Sequence, residues 1–171
     1  MSEFIPFSAQ KSSIAQRSRA FIKMHGLRND FVIVDGRRNP YRPSVEEIVR
    51  ICDRHEGVGG DELVVVEPPQ SADAYAFMRI FNPDGREAEA CGNATRCIGW
   101  LCLQESKRTE VVIDTLGGPL RCCLAGEKNV AVEMGHLRTD WQDIPLAREM
   151  DTLHLKIGAG PLRDPVGMNI G

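Results

Sequence analysis

Cys91 is the residue whose type and position in this sequence best suit catalytic chemistry. It lies in the run Ala90-Cys91-Gly92-Asn93-Ala94, where a short strand pattern gives way to a helix pattern. The first N–H groups of a helix have no partner within the helix, and the positive end of the helix dipole favours an anion there. We therefore expect the helix to stabilise the Cys91 thiolate and to lower the pKa of the thiol from about 8.5 toward neutrality.

The same helix start offers a place for a carboxylate. The N–H groups of Gly92, Asn93 and Ala94 could bind it, and Gly92 allows a close approach. A thiol beside such a pocket could remove the α-proton of an amino acid. Local physics alone leaves the alternative that Cys91 is a packing residue, because free cysteines are among the most buried residues. Packing is the preferred interpretation of four other cysteines, Cys97, Cys102, Cys122 and Cys123.

Two helices and many short strands are predicted around this site. Ser44-Val45-Glu46-Glu47 fits a capping box, so we expect an amphipathic helix over about 44–55. A second helix should run over about 92–105, and its segment 97–103 is apolar on every face, which indicates burial all round. This pattern predicts an α+β fold with an antiparallel, β-rich shell curled around a central buried helix. Strands are expected at 21–25, 31–36, 62–67, 74–81, 87–90, 110–115, 120–125, 129–134 and 153–157.

The composition favours a protein that acts on small molecules. A net charge of −3 over 171 residues, without a long basic run, gives no reason to expect nucleic acid as a partner. No stretch approaches the roughly 20 apolar residues that span a bilayer, so no membrane association is expected. Residues 1–20 lack the order of a secretory signal, and we expect a flexible extension there and a cytoplasmic location.

Metal and disulfide chemistry are not expected either. The six cysteines contain no Cys-x-x-Cys pair, and the four histidines show no ligand spacing, so the sequence does not predict a zinc site. Reducing conditions inside a cell would oppose disulfides. The loop Gly57-Val58-Gly59-Gly60 follows a helix and precedes a strand, the reverse of a dinucleotide fingerprint. A cysteine hydrolase stays open as an alternative, with His25 or His55 as the base.

Four blocks of the sequence resemble, in order, the signatures of the diaminopimelate epimerase family: KMHGLRNDFVIVDG, RHEGVGGDE, RIFNPDG and EACGNATRC. The resemblance covers about residues 21–171, and the Cys-Gly-Asn block is specific to this epimerase superfamily. It implies two pseudo-symmetric domains, each a β-rich shell around a central helix, with the site in the cleft between them. It also implies an isomerase of lysine and cell-wall precursor synthesis that interconverts LL- and meso-diaminopimelate.

The resemblance implies catalysis without a cofactor: no pyridoxal phosphate, no metal and no nucleotide. Two cysteines face opposite sides of the substrate Cα; one as thiolate removes the proton and the other as thiol returns one. Cys91 matches the first of them. Asn29 and Asn82 match asparagines that hold the distal end of the substrate, and Gly92 and Asn93 match backbone donors to the carboxylate at the reacting centre. Without the resemblance, turn chemistry would be the preferred explanation of Asn29 and Asn82.

Three residues depart from the family pattern. Arg28 stands where the family usually has a glycine, at a position that could need a positive φ. Glu62 replaces a glutamine of the substrate pocket; its carboxylate could meet an ammonium group but would repel a distal carboxylate. Ala94 replaces a second glycine, and its methyl could crowd a ligand. A related racemase that acts on another amino acid is therefore an alternative.

The chain ends at Gly171, where the family continues into an Asn-Pro-His segment. We expect residues 21–150 to form the first epimerase domain and 151–171 to begin the crossover to a second. The second catalytic cysteine and a substrate-binding Glu-Arg pair would belong to that second domain, so the chain alone is expected to be inactive or incomplete. The apolar surface left exposed predicts a homodimer or poor solubility. A catalytically silent half-domain that binds a ligand or a partner chain is a further alternative.

Overall fold

The computed structural model of the protein describes residues 19–126 and 129–170. Most of the extension expected at 1–20 lies outside this range. The described residues form two α-helices, α1 (Val45–Cys52) and α2 (Gly92–Ser106), and a short 3₁₀ helix (Trp141–Asp143). Eight strands make one sheet: β1 (Ile22–Gly26), β2 (Asn29–Asp35), β3 (Glu62–Glu67), β4 (Ala76–Phe81), β5 (Glu87–Ala88), β6 (Glu110–Thr115), β7 (Gly118–Leu124) and β8 (Val130–Glu133).

The sheet is mixed, which corrects the expectation of a purely antiparallel one. Its order is β1-β2-β3-β4-β6-β7-β8, with β5 paired to β4. The pairs β2–β3 and β4–β6 are parallel, whereas the other neighbours are antiparallel. A helix lies in the connection between the two strands of each parallel pair: α1 between β2 and β3, and α2 between β4 and β6. Parallel strands need such a crossover, because a tight turn reverses the chain direction.

Helix α2 lies inside the curve of this sheet, as its apolar sequence predicted. It packs against β1, β4, β6, β7 and β8. Its residues Ala94, Thr95 and Ile98 are at most 1% exposed. The approach to β7 is close, since a Cβ atom added at Gly99 would lie 2.8 Å from the Cys122 Sγ. The α+β shell around a buried helix is therefore confirmed.

Helix α1 covers the opposite face of the sheet. Its capping box is present as predicted: the Ser44 hydroxyl accepts from the Glu47 N–H at 3.2 Å, and the Glu47 carboxylate accepts from the Ser44 N–H at 2.9 Å. Strand β2 is consequently buried on both faces. Phe31 and Ile33 belong to the core cluster that contains Ile98 of α2, whereas Val32 and Val34 belong to the cluster with Ile48 and Cys52 of α1.

The prediction of a strand at 153–157 is wrong. The backbone there bonds locally, with the Ile157 N–H donating to the Leu155 carbonyl at 2.8 Å and the Leu155 N–H to the Pro165 carbonyl at 3.1 Å. A small hairpin follows instead, formed by β9 (Gly158–Ala159) and β10 (Leu162–Arg163). Alternating apolar residues predicted a strand, but among residues 19–126 and 129–170 no strand pairs with this segment. In the described part of the chain no helix is both long and apolar enough to cross a membrane.

Candidate active site

Cys91 is the N-cap residue of α2, as the sequence predicted, with extended backbone angles of φ −147° and ψ 110°. Gly92, Asn93 and Ala94 form the first helical turn, so their N–H groups have no carbonyl partner within the helix. The Thr95 N–H makes the first intrahelical bond, to the Cys91 carbonyl at 2.8 Å. The thiol is half-buried. A thiol and a set of N–H donors that have no carbonyl partner within the helix therefore share one helix end.

The expected fall in the Cys91 pKa is wrong for this structure. Burial raises the pKa of the thiol above its ordinary value. The N–H groups of Ala94 and Asn93 act in the expected direction and lower it, but the Glu62 carboxyl raises it further. The helix start does favour the thiolate, yet burial and a neighbouring acid outweigh that effect. Cys91 is therefore held as a neutral thiol.

Asn29 lies against the Cys91 thiol. The Sγ atom of Cys91 is 3.6 Å from the Asn29 Oδ1, in the position of a donor to it. The same oxygen accepts from the Asn93 Nδ2 at 3.1 Å. Asn29 occupies the first position of β2, directly after the tight turn from β1. Three of the predicted site residues are thus brought together.

Glu62 also reaches this cluster. It is the first residue of β3 and pairs in register with Phe31 of β2, so its side chain comes near the start of α2. Burial raises the pKa of the Glu62 carboxyl, the contact with Cys91 lowers it, and Asp61 raises it. Its Oε2 atom is buried and has no hydrogen-bond partner among the residues that the structure describes. An unpaired buried carboxyl oxygen beside a thiol is costly unless a ligand satisfies it.

Asn82 takes no part in the hydrogen bonds of this group within the part of the chain that the structure describes. It follows β4 in a turn, where its N–H donates to the Arg86 carbonyl at 2.8 Å and its carbonyl accepts from the Gly85 N–H at 2.9 Å. Gly85 has a φ of +85°, which the turn requires. Within residues 19–126 and 129–170, no hydrogen bond joins the Asn82 side chain to Cys91 or Asn29. The turn role is what this structure shows for Asn82.

Two charged residues that the sequence did not single out complete the cluster. The Asp61 carboxylate accepts from the Asn29 Nδ2 at 3.3 Å and from the Asp30 N–H at 2.9 Å. At the other end, the Arg96 guanidinium donates to the Asn93 Oδ1. Asp61 is adjacent to Glu62 in sequence, but only the parallel pairing of β2 and β3 brings it to Asn29. Spacing along the chain carried no sign of this contact.

Two of the residues that depart from the family pattern, Arg28 and Ala94, can be examined in the structure. Arg28 has a φ of +72° and Leu27 a φ of +54°, so the β1–β2 turn uses the positive φ that was expected at Arg28. The concern over Ala94 is not supported, because this residue is fully buried in the core cluster around α2. Neither His25 nor His55 makes a hydrogen bond to Cys91 in the described part of the chain. The hydrolase alternative therefore has no support here.

Cys97, Cys102 and Cys122 pack in the core as expected, whereas Cys123 does not. All six are free, and Cys97, Cys102 and Cys122 are buried. Burial raises the pKa of Cys97 to about 11 and those of Cys102 and Cys122 to about 12. Cys123 faces the other side of β7, where its thiol lies 3.4 Å from the Glu110 carboxylate. No group of three or more metal-ligating side chains occurs within the described ranges.

Known proteins show sequence similarity to this chain. The family model of diaminopimelate epimerase matches residues 21–139. A curated diaminopimelate epimerase from Rhodospirillum centenum is 50% identical over 153 residues, which are 90% of this chain and 53% of that protein. Another, from Caulobacter sp. (strain K31), is 41% identical over 155 residues, 87% of this chain and 54% of that protein. The chain therefore spans about half the length of the curated relatives it matches.

A solved structure shows the same fold. A probable proline racemase from Agrobacterium radiobacter K84 matches with a TM-score of 0.56 and 16% sequence identity, over 78% of this chain and 46% of that chain. At this identity the likeness concerns the fold alone. It agrees with the mixed sheet curled around α2 described above.

Proposed function

The chain belongs to the diaminopimelate epimerase family, and on that basis we propose that Cys91 is one of two thiols that invert an amino acid centre, interconverting LL- and meso-diaminopimelate. The main support for this proposal is that Cys91 is the N-cap of α2 and lies beside Asn29 and Glu62. No cofactor takes part in the proposed reaction.

Cys91 transfers a proton on one face of the substrate Cα. In one direction a base on the opposite face removes the α-proton, and the Cys91 S–H bond breaks as a new Cα–H bond forms, which leaves a thiolate. In the other direction the Cys91 thiolate takes the proton. The N–H groups of Gly92 and Asn93 bind the α-carboxylate and stabilise the charge that develops on it. Asn29, Glu62 and Asn82 bind the rest of the substrate.

The second thiol comes from a second epimerase domain that packs against this one. The support is that the chain covers about half of its relatives. Large apolar side chains are also exposed toward the end of the chain, among them Ile157 at 59%, Leu162 at 70% and Met168 at 55%. A contiguous exposed apolar patch marks an interaction site, and the proposal places the contact with the second domain at these residues. On this proposal the 171-residue chain alone does not complete inversion, and it self-associates through that surface when no second domain covers it.

Substrate docking on the helix start can be tested without turnover. The ¹⁵N-labelled chain would be titrated with LL- and meso-diaminopimelate, and the amide resonances of Gly92, Asn93 and Ala94 followed by NMR. The proposal predicts shifts centred on these amides that saturate with ligand. Diaminopimelate esterified at both carboxyls is the matched control, because it cannot bind as an anion. Equal shifts with the ester, or shifts elsewhere in the fold only, would contradict the docking site.

A second candidate follows from Glu62. Its carboxyl, buried and without a partner for Oε2 in the described part of the chain, would repel the distal carboxylate of diaminopimelate. A racemase for an amino acid with one carboxylate avoids that repulsion. The same titration with a panel of monocarboxylate amino acids separates the candidates. If one of these saturates the Gly92 and Asn93 shifts while diaminopimelate does not, the racemase replaces the epimerase as the conclusion.

A further inference from the structure

Four side chains beside Cys91 form one continuous line of hydrogen bonds, named here the Asp61–Arg96 relay. The Asn29 Nδ2 donates to the Asp61 Oδ2 at 3.3 Å. The Asn93 Nδ2 donates to the Asn29 Oδ1 at 3.1 Å. Arg96 donates to the Asn93 Oδ1. All four residues are partly buried. The Asp61 side chain is 43% exposed and also pairs with Arg54 at 2.8 Å.

The two ends of the relay fix its direction. An ionised carboxylate only accepts hydrogen bonds, and a guanidinium only donates them. Asp61 therefore requires the NH₂ group of Asn29 to face it, and Arg96 requires the carbonyl oxygen of Asn93. Asp61 acts on Asn29 directly, and Arg96 acts on it through the Asn93 amide, whose NH₂ group then faces Asn29. Both contacts give Asn29 the same orientation. Its carbonyl oxygen must lie on the side of Cys91, 3.6 Å from the sulfur.

We infer that Asp61 and Arg96 are positioning residues, which hold the Asn29 carbonyl oxygen against Cys91 and so keep Cys91 as a proton-donating thiol until a ligand engages Asn29. This inference rests on the proposed function for the role of Cys91 as a proton carrier. The orientation of Asn29 itself rests on the contacts of the relay.

The chemistry of the two ends of an amide explains the effect. A carbonyl oxygen accepts the S–H hydrogen and repels a thiolate, whereas an NH₂ group in the same place would donate to the thiolate. Three other groups act on the sulfur: the Glu62 carboxyl, which favours the thiol, and the Asn93 and Ala94 N–H groups, which favour the thiolate. Burial is the largest cause of the raised pKa of Cys91, and the inference adds the Asn29 oxygen as a further group that favours the thiol.

The relay links ligand binding to the state of the thiol. Asn29 is also a proposed ligand contact, so a ligand that binds its amide competes with Cys91 for the oxygen. Once the oxygen is withdrawn, the N–H groups at the start of α2 act on the sulfur unopposed by Asn29. The thiolate then forms more readily with ligand bound than without it.

Alkylation of the folded, reduced chain tests the relay in the absence of substrate. The rate of reaction of Cys91 with iodoacetamide would be followed by peptide mass spectrometry from pH 6.5 to 9.5, in the wild type, Asp61→Asn, Arg96→Met and the double variant. Each single variant leaves one end to orient Asn29, so its rate should stay within about twofold of wild type. The double variant frees the amide, and a one-unit fall in pKa would raise the thiolate fraction about tenfold.

The double variant separates orientation from charge, since it removes one negative and one positive group together. A rate increase of about threefold or more, well above the product of the single effects, supports the relay. The relay is overturned if the rate change of the double variant equals the product of the two single changes. It is also overturned if Asp61→Asn speeds alkylation and Arg96→Met slows it, as the loss of each charge alone would do. Buried Cys97 serves as the internal control and should stay unreactive, because its exposure would reveal loosening of α2.

Two variants of Asn29 keep the inference testable if the double variant fails to fold. Asn29→Ala removes the oxygen and should speed Cys91 alkylation. Asn29→Asp keeps an oxygen there and adds charge, so it should slow the reaction. The reverse order, or no difference, overturns the inference. Since no substrate is present, failure here leaves the amide shifts of Gly92 and Asn93 as an independent test of the proposed function.

Discussion

The Cys91 thiol faces the carbonyl oxygen of Asn29, with 3.6 Å between Sγ and Oδ1. A thiol that donates to an oxygen is stabilised in its neutral form, whereas the start of α2 acts in the opposite direction. The helix dipole has often been the reason to expect a reactive thiolate at such a position. Here burial of the thiol and the neighbouring Glu62 carboxyl outweigh the helix start.

Replacing Glu62 by glutamine should make Cys91 more reactive. The Glu62 carboxyl raises the Cys91 pKa, so the neutral amide of Glu62→Gln should lower that pKa and shift the alkylation profile to lower pH. The variant should also bind diaminopimelate more tightly relative to monocarboxylate amino acids, because the repulsion of the distal carboxylate is gone. Alkylation rates and the NMR titration measure the two effects. Glu89→Gln, a change at an exposed acid, is the control and should do neither.

The turn between β1 and β2 should gain stability from glycine. Arg28 is held at a φ of +72°, a region that costs a residue with a Cβ atom about 1–2 kcal/mol. Arg28→Gly relieves that cost but adds backbone freedom to the unfolded chain. We expect the free energy of unfolding in urea to rise by about 0.5–1 kcal/mol. Arg28→Ala keeps the Cβ atom, and an equal gain in that variant would show that the side chain, not φ, is responsible.

The contact between Gly99 and Cys122 should tolerate only small side chains. A Cβ atom at position 99 would lie 2.8 Å from the Cys122 Sγ, so Gly99→Ala should destabilise the fold by about 1–3 kcal/mol. Combining it with Cys122→Gly removes both clashing atoms, the Sγ at 2.8 Å and the Cβ at 2.9 Å. Urea unfolding should show the double variant to be less destabilised than the sum of the two single changes. An additive result would place the cost of Gly99→Ala elsewhere.

Alkaline pH should destabilise the protein through its buried thiols. The unfolded chain releases thiol protons near the ordinary pKa of about 8.5, whereas folded Cys97, Cys102 and Cys122 hold theirs to about 11 or 12. Their contribution to stability is therefore fully present below pH about 8.5 and is lost as pH rises through the folded values.

The loss should reach roughly 1.4 kcal/mol per pH unit for each thiol. Urea unfolding at pH 8, 9 and 10 measures it. Cys102→Ala is the matched variant. Its free energy of unfolding should fall less steeply with pH, by the contribution of one thiol. An unchanged slope in Cys102→Ala would mean that other groups cause the alkaline loss.

Local features of the fold were predictable from the sequence. The Ser44–Glu47 capping box and the position of Cys91 at the start of α2 depend on neighbours within a few residues, and both are present. The burial of α2 followed from its apolar composition alone. The strand expected at 153–157 failed because alternation describes one segment, whereas a strand also needs a partner.

Features that depend on distant residues were not predictable in this way. The pairing of β2 with β3 brings Asp61 to Asn29, 32 positions away in the chain, and no local pattern encodes that contact. The Cys91 pKa depends on burial and on Glu62, which arrive through tertiary structure. For that reason the sequence located the thiol but gave the wrong direction for its pKa.

Hydrogen exchange in D₂O would show whether Cys91 exchanges a proton with the α-carbon of an amino acid. The reduced chain would be incubated separately with LL- and meso-diaminopimelate, and the α-proton signal followed by NMR in wild type, Cys91→Ala and Cys123→Ser. If Cys91 carries the proton, the α-proton signal should be lost in wild type and Cys123→Ser and retained in Cys91→Ala. Equal loss in Cys91→Ala, or no loss with any isomer in the folded wild type, would contradict it.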